Sequence, residues 1–174
     1  MSSEIDIYTY CPQCANKLVL KTNDKQKVKA CSACDFIFWN NPKPVVSILL
    51  HKDKKVLMLQ RAHEPCKDYW VLPGGFMRYE ETSEEAIRRE AKEEIGIDIA
   101  IDGLVGVYRI DNDPRGIHID IIFQGSMHDE VRLSKEDKKW QYFSSHDLPA
   151  KIAYKHREAI TDWYTKGGKF GKVM

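Results

Sequence analysis

Six of the fourteen residues from 81 to 94 are glutamates: Glu81, Glu84, Glu85, Glu90, Glu93 and Glu94. Thr82 followed three residues later by Glu85 makes a capping box, so a helix is expected over 83–95, with Gly96 as the residue that ends it. At about 100° per residue, Ile87, Ala91 and Ile95 form a narrow apolar stripe. Ala86, Glu90, Glu93 and Glu94 lie together beside it, whereas Glu85, Arg89 and Lys92 point elsewhere. Three carboxylates within two turns repel one another and need a partner. A hard divalent cation is the natural one: Mg²⁺ takes carboxylate oxygens, keeps several waters and binds substrate phosphates. The small Ala86 leaves room beside the acids. The plain alternative is a solvated acidic helix with i,i+4 pairs to Arg and Lys.

A second set of chemical groups stands near the start of the chain. Cys11 and Cys14 form one C-x2-C knuckle, and Cys31 and Cys34 form another after sixteen intervening residues. Two knuckles at this separation read as a tetrahedral four-cysteine zinc site with no open position, hence structural. Two disulfides or a redox pair are the competing reading. Short strand-like pieces at 17–20 and 27–30, around a turn at 22–24, make this a zinc ribbon in which the metal replaces a core that so few residues cannot build. Lys17, Lys21, Lys25, Lys27 and Lys29 leave nucleic acid possible as a partner, though scattered lysines on a hairpin are ordinarily a solvated face. The fifth cysteine, Cys66, has no evident activating partner.

The elements that must position these groups are legible in outline. Phe36–Trp39 follows the last knuckle and is expected to dock the ribbon. Residues 40–44 (NNPKP) are a linker stiffened by two prolines. Strands are expected at 45–51 and 55–61 with a hairpin turn at 52–54, and then at 97–101, 104–110, 117–125 and 140–143. A C-terminal helix is expected over 154–166, with Ile160, Trp163 and Tyr164 on its buried side. Residues 1–10 read as a lead-in, and the last eight, GGKFGKVM, as a tail. Read without further guidance, this order is a mixture of α and β. Apolar residues at 43%, charged residues at 30% and a net charge of +1 point to a globular chain without broad electrostatic affinity for nucleic acid or membrane. No signal-peptide core or apolar run of membrane length is present, so a cytoplasmic location is expected.

The acidic run also fits a longer pattern, G-x5-E-x7-R-E-U-x-E-E-x-G-U with U bulky or aliphatic, through Gly75, Glu81, Arg89, Glu90, Ala91, Glu93, Glu94, Gly96 and Ile97. Ala91 is the one soft match. This resembles the Nudix box, and the preceding Trp70, Leu72, Pro73, Gly74 and Gly75 resemble its usual approach. The resemblance implies an α/β/α sandwich with a mixed sheet over 45–174, preceded by the ribbon at 1–39. It implies metal-assisted attack of water on a nucleoside diphosphate linked to another group, releasing a nucleoside monophosphate. Carried over residue by residue, Glu90, Glu93, Glu94 and the Gly74 carbonyl would hold Mg²⁺ or Mn²⁺. Glu93 could also act as base. Arg89 would pair with Glu81 and orient the acids. Glu136 is the candidate for the general base, which in this family often comes from a loop downstream of the box. Glu130 and Asp120 are weaker candidates.

Arg109, Arg78, Tyr108 and Phe76 are candidates for substrate contact. His118 could meet phosphate or base, but in an apolar strand it also reads as a structural histidine. Tyr69, Trp70 and Phe76 could stack on a ring, or belong to the core. A ribbon ahead of a Nudix domain is similar to two groups. One, the NADH pyrophosphatases, carries S-Q-P-W-P-F-P-x-S shortly after the box, where this chain reads AIDGLVGVYRIDNDPRG. The other includes plant-type FAD and ADP-ribose pyrophosphatases, and the NNPKPVV, WVLPGGF and FSSHDLP stretches resemble it. A small nucleotide such as ADP-ribose or FAD is therefore the expected substrate. NTPs, NADH and a non-catalytic ligand sensor whose ribbon binds nucleic acid are the alternatives. Related enzymes are often homodimers.

Overall fold

The computed structural model describes residues 8–167, and the lead-in before residue 8 and the tail from 168 lie outside the described residues. The chain divides into two compact units at Pro42/Lys43. In the first, β1 (Leu18–Asn23), β2 (Gln26–Cys31) and β3 (Ile37–Phe38) form an antiparallel sheet in that order. Asp24 and Lys25 turn the hairpin with φ of 44° and 64°, as a two-residue turn matching strand twist requires. The turn therefore falls later than expected, and both strands are longer. The 36–39 stretch supplies the third strand: Ile37 pairs with Ala30, and the Phe38 ring lies edge-on to Tyr8.

In the second unit, β4 (Lys43–Lys52), β5 (Lys55–Arg61), β6 (Trp70–Val71), β7 (Gly74–Phe76), β8 (Ala100–Ile110), β9 (His118–Ser126) and β10 (Asp137–Phe143) build one seven-stranded sheet. Its main order is β10-β5-β4-β9-β8, with β6 on β5 and β7 on β4. The pair β4/β9 is parallel and its other pairings are antiparallel, so the sheet is mixed. Helices α1 (Ser83–Ile95) and α2 (His156–Thr165) complete the unit.

The strands explain why two helices are needed. Residues 45–50 are buried without interruption, on both faces of β4. Val46, Ile48 and Leu50, with Leu57, Leu59 and Phe123, pack on Ala86, Ile87, Ala91 and Ile95 of α1. Leu49, Val56, Met58 and Ile122 instead meet Ala159, Ile160 and Trp163 of α2. Neighbouring residues divide between two cores, which puts the helices on opposite faces and makes an α/β/α sandwich.

Four expectations shift. β4 begins at Lys43, inside the stretch expected to be linker, and β10 begins at Asp137 rather than 140. The separate strands at 97–101 and 104–110 are one strand from Ala100, because the register slips at 101/103 and 104/106 are bulges rather than a turn. Ile97 and Ile99 are core residues of the connection ahead of it. Helix α2 starts at His156 rather than 154, since Tyr154 sits at φ 59°.

Candidate functional site

Helix α1 begins and ends as its sequence requires. The Thr82 hydroxyl accepts from the Glu85 N–H, the Glu85 carboxylate accepts from the Thr82 N–H, and Gly96 closes the helix in the left-handed region at φ 70°. Its apolar stripe is pinned to the sheet, so the glutamates beside the stripe are carried along the edge of a cavity of about 490 Å³. Glu90, Glu93 and Glu94 line it from α1, Gly74, Gly75, Phe76 and Arg78 from β7 and the turn after it, and Glu136 from just before β10. Glu136 follows the 127–135 segment, which backbone bonds from Arg132 to Ile95 and from Ser134 to Glu94 tie to the end of α1.

Arg89 is the organiser. Nε and Nη2 grip the two oxygens of Glu81 at 2.5 and 2.9 Å. Nη1 reaches Glu90 at 2.7 Å and Glu93 at 3.0 Å, and Nη2 reaches the Phe76 carbonyl at 3.0 Å. All five N–H donors are used. The helical wheel points Arg89 away from the acids, but the long side chain folds back onto them. The Arg89 hydrogen bonds hold Glu81 down at about 2.

The remaining acids have the opposite problem. Burial pushes Glu94 well above the usual carboxylate range, and Asp137, Glu90 and Glu136 add to it; the Gly74 N–H at 2.8 Å only partly offsets them. Burial also raises Glu90, against the pull of Arg89. Asp137, which no motif in the sequence marks, is pushed up to about 6 by burial, partly countered by Arg61. Buried carboxylates crowded with like charge fit a divalent cation as their partner. Gly75 shows how tightly Glu90 is held: a Cβ there would lie 2.7 Å from its carboxylate. Gly74 answers to the sheet instead, with φ 150° and a would-be Cβ 2.1 Å from the Val46 carbonyl oxygen.

Behind the acids lies a buried strut that spacing could not reveal. His156 Nδ1 accepts the Leu72 N–H at 2.9 Å, so Nε2 carries the proton and faces Asp120 Oδ2 at 3.2 Å. Ser47 Oγ donates to the same oxygen at 3.1 Å. This ties α2 and β9 to Leu72, in the connection between β6 and β7 just ahead of Gly74. Asp120 is fully buried and Oδ1 has no partner among the described residues, so it lines the cavity as part of this strut. Glu130 is exposed and outside the cavity.

Two of the expected substrate contacts lie away from the cavity. Tyr108 and Arg109 do not line the cavity. Tyr108 packs under α2 and donates to Asp162 at 2.8 Å, while Arg109 is exposed and paired with Asp111. The physical reason is that β8 is the sheet edge. Only the end of β8, at Ile110, reaches the cavity, while the neighbouring β9 reaches it through His118 and Asp120. His118 is buried, its pKa is lowered by that burial, and its Nε2 lies 3.4 Å from Asp113 Oδ2, too poorly aligned to be a hydrogen bond. Of the three aromatics, Phe76 lines the cavity, Trp70 is core against Phe143, and Tyr69 lies outside. Arg78 lines it, exposed and 3.1 Å from Glu93. Arg61, Arg115 and Tyr154 also line it; nothing in their local sequence marks them.

In the first unit, Cys11, Cys14, Cys31 and Cys34 bring their sulfurs within 4.8 Å of one another, the only such group of ligand atoms among the described residues. Neighbouring Sγ–Sγ distances of 3.4–3.6 Å approach the about 3.8 Å edge of a tetrahedron with 2.3 Å bonds to zinc. The N–H groups of Gln13 and Ala33 point at Cys11 and Cys31 sulfurs, both at 3.4 Å. This donor set fits zinc. The glutamates are less tightly gathered, which suits Mg²⁺, a cation that keeps waters and shares its shell with substrate phosphates.

A sandwich whose acidic helix overlooks a cavity beside a Gly-Gly strand defines a class of metal-assisted phosphoanhydride hydrolases. The NUDIX domain family matches residues 41–164, so the chain belongs to the Nudix family of hydrolases, which use divalent metals and act on small nucleotides. An ADP-ribose pyrophosphatase of Methanocaldococcus jannaschii is 34% identical over 150 residues, 85% of this chain and 83% of that protein. A NAD-capped RNA hydrolase NudC of Vibrio atlanticus is 32% identical over 91 residues, 52% of this chain and 33% of its own length. A Nudix hydrolase from Nitrosomonas europaea shares the fold with a TM-score of 0.80 at 24% identity, over 95% of this chain and 97% of that one. Among the described residues no helix is long and apolar enough to cross a membrane.

Proposed function

We propose that the chain hydrolyses the diphosphate of an ADP-containing compound, ADP-ribose first and FAD second, releasing AMP and the phosphorylated remainder. The observation that carries this reading is the 34% identity to the archaeal ADP-ribose pyrophosphatase across most of both chains. The NudC likeness covers a third of that protein, and the S-Q-P-W-P-F-P-x-S stretch is absent from this sequence, so NADH ranks lower.

In this reading Glu90, Glu94 and Glu93, with the Gly74 carbonyl, would hold Mg²⁺ or Mn²⁺. The ion, when bound, neutralises diphosphate charge and lowers the pKa of water. Arg89, locked to Glu81, keeps Glu90 and Glu93 in register. Glu136, across from α1, accepts the proton of the attacking water at its carboxylate. The strut of His156, Asp120 and Ser47 fixes the backbone ahead of Gly74, so the metal-side carbonyl is preset. The four cysteines hold a structural zinc.

The test is hydrolysis by purified full-length protein with Mg²⁺ or Mn²⁺ over ADP-ribose, FAD, NADH and NTPs. AMP from ADP-ribose, lost in Glu94→Gln, is the expected result. Turnover confined to NTPs or NADH would overturn the substrate assignment. Nucleotide binding without turnover of anything would favour a ligand sensor.

A further inference from the structure

Four arginines line the cavity, and they are held in different ways. Arg89 spends every donor on the glutamates and the Phe76 carbonyl. Arg78 is exposed and paired with Glu93. Arg61 is held by its side chain through Nε alone, to the Pro65 carbonyl at 2.8 Å, with no carboxylate among the described residues gripping its guanidinium, and its charge offsets the buried Asp137. Arg115 is different. Its Nε and Nη2 grip Asp113 at 3.0 and 2.7 Å, and its own N–H donates to Asp113 Oδ1 at 2.8 Å. The Asp113 side chain is 1% exposed, so this clamp is fixed in the body of the protein. Nη2 also reaches Tyr154 Oη at 3.3 Å, and Cζ lies 5.0 Å from the centre of the Phe76 ring. Yet the Arg115 side chain is 42% exposed, and Nη1 has no partner among the described residues.

A guanidinium whose one edge is spent on a buried carboxylate, and which lies over an aromatic ring, presents its other edge already oriented. Much of the entropy of ordering a long side chain has been lost before any ligand arrives. The acidic helix can meet a diphosphate only through a cation, which leaves the anion's remaining charge to be matched by the chain itself. An in-plane N–H edge suits a phosphoryl oxygen.

We propose that Arg115 is a phosphate-binding residue, its Nη1 taking a non-bridging oxygen of the substrate's diphosphate. This rests on the reading that the cavity holds a nucleoside diphosphate. The loop carrying Arg115 joins β8 to β9, well beyond the helix that carries the glutamates.

The test measures binding of ADP and of adenosine to wild type, Arg115→Ala and Arg115→Lys by calorimetry in Mg²⁺, with adenosine read by displacement. For Arg115→Ala the ADP dissociation constant should rise about 10- to 100-fold, as for a lost charged hydrogen bond, while adenosine changes less than about twofold. Arg115→Lys should recover part of the ADP affinity, because a point charge still attracts phosphate. It also keeps the test open if the alanine variant folds poorly. Equal losses for ADP and adenosine would overturn the proposal, pointing to stacking on the base or to support of the fold. Unchanged ADP binding in both variants would overturn it too. If wild type binds ADP through Arg115 but does not hydrolyse ADP-ribose, the substrate assignment fails and this inference stands. If wild type binds no ADP, the inference fails.

Discussion

The molecule contains two clusters of candidate metal ligands, and they are built in opposite ways. The four cysteines come as two four-residue knuckles, each holding two sulfurs and an N–H···S bond within its own turn, and one hairpin joins them. The acidic cavity takes glutamates from one helix, glycines from a short strand, Glu136 from a distant segment and Arg115 from another loop. The first site is a local device. The second exists only because α1 and α2 are pressed on the two faces of a sheet. A local device should fail by losing its ion and its fold together, whereas a tertiary one should fail in chemistry while the fold survives.

The largest expected effect breaks the local side of that contrast. Cys31→Ser should release the zinc and unfold the ribbon, since structural zinc is worth about 10 kcal/mol or more in small domains. Metal analysis should fall from one zinc per chain to none. Retention of full zinc with native ribbon NMR signals would show that the sulfurs are not a metal site.

On the tertiary side, Glu94→Gln should lower kcat about 10³-fold, the loss of several kcal/mol of metal-assisted stabilisation. The melting temperature should hold or rise, because a buried carboxylate is replaced by a neutral isostere. A fall of many degrees with proportionate activity loss would make Glu94 structural. Gly75→Ala is subtler. Its Cβ would press on the Glu90 carboxylate at 2.7 Å, and about a tenfold lower kcat is expected with folding intact. Unchanged kcat would mean that Glu90 need not stay where it is.

The smallest effect concerns pH. Burial raises Glu94 and Glu90 above 4.5 and Asp137 to about 6. Acids raised in the folded state hold protons that the unfolded chain has released. Metal-free protein should therefore lose stability as pH climbs from about 4.5 through those raised values. A divalent cation opposes this, so the gain in melting temperature on adding Mg²⁺ should be a few degrees larger at pH 8 than at pH 5. Equal gains at both pH values would contradict it.

Helix α1 shows how much was legible in advance. Its cap, its last residue, its buried stripe and the pairing of Arg89 with Glu81 are all set by neighbours within about four turns, and helical periodicity carries that far. The bulged strand from Ala100, the late start of α2 at His156 and the exclusion of Tyr108 and Arg109 were not legible. A strand's place at the edge or centre of a sheet is fixed by partners dozens of residues away.

The sequence by itself determined the two candidate ligand sets and the elements that carry them, because knuckle spacing and helical period are short-range geometry. Only the tertiary structure decided that Glu94 is buried among like charges, that His156 and Asp120 brace the backbone before Gly74, and that Arg115 is clamped by Asp113 at the cavity wall. Burial and long-range hydrogen bonds arise when the sheet brings β4, β9 and α2 together. No local pattern encodes which side chains then face the same space.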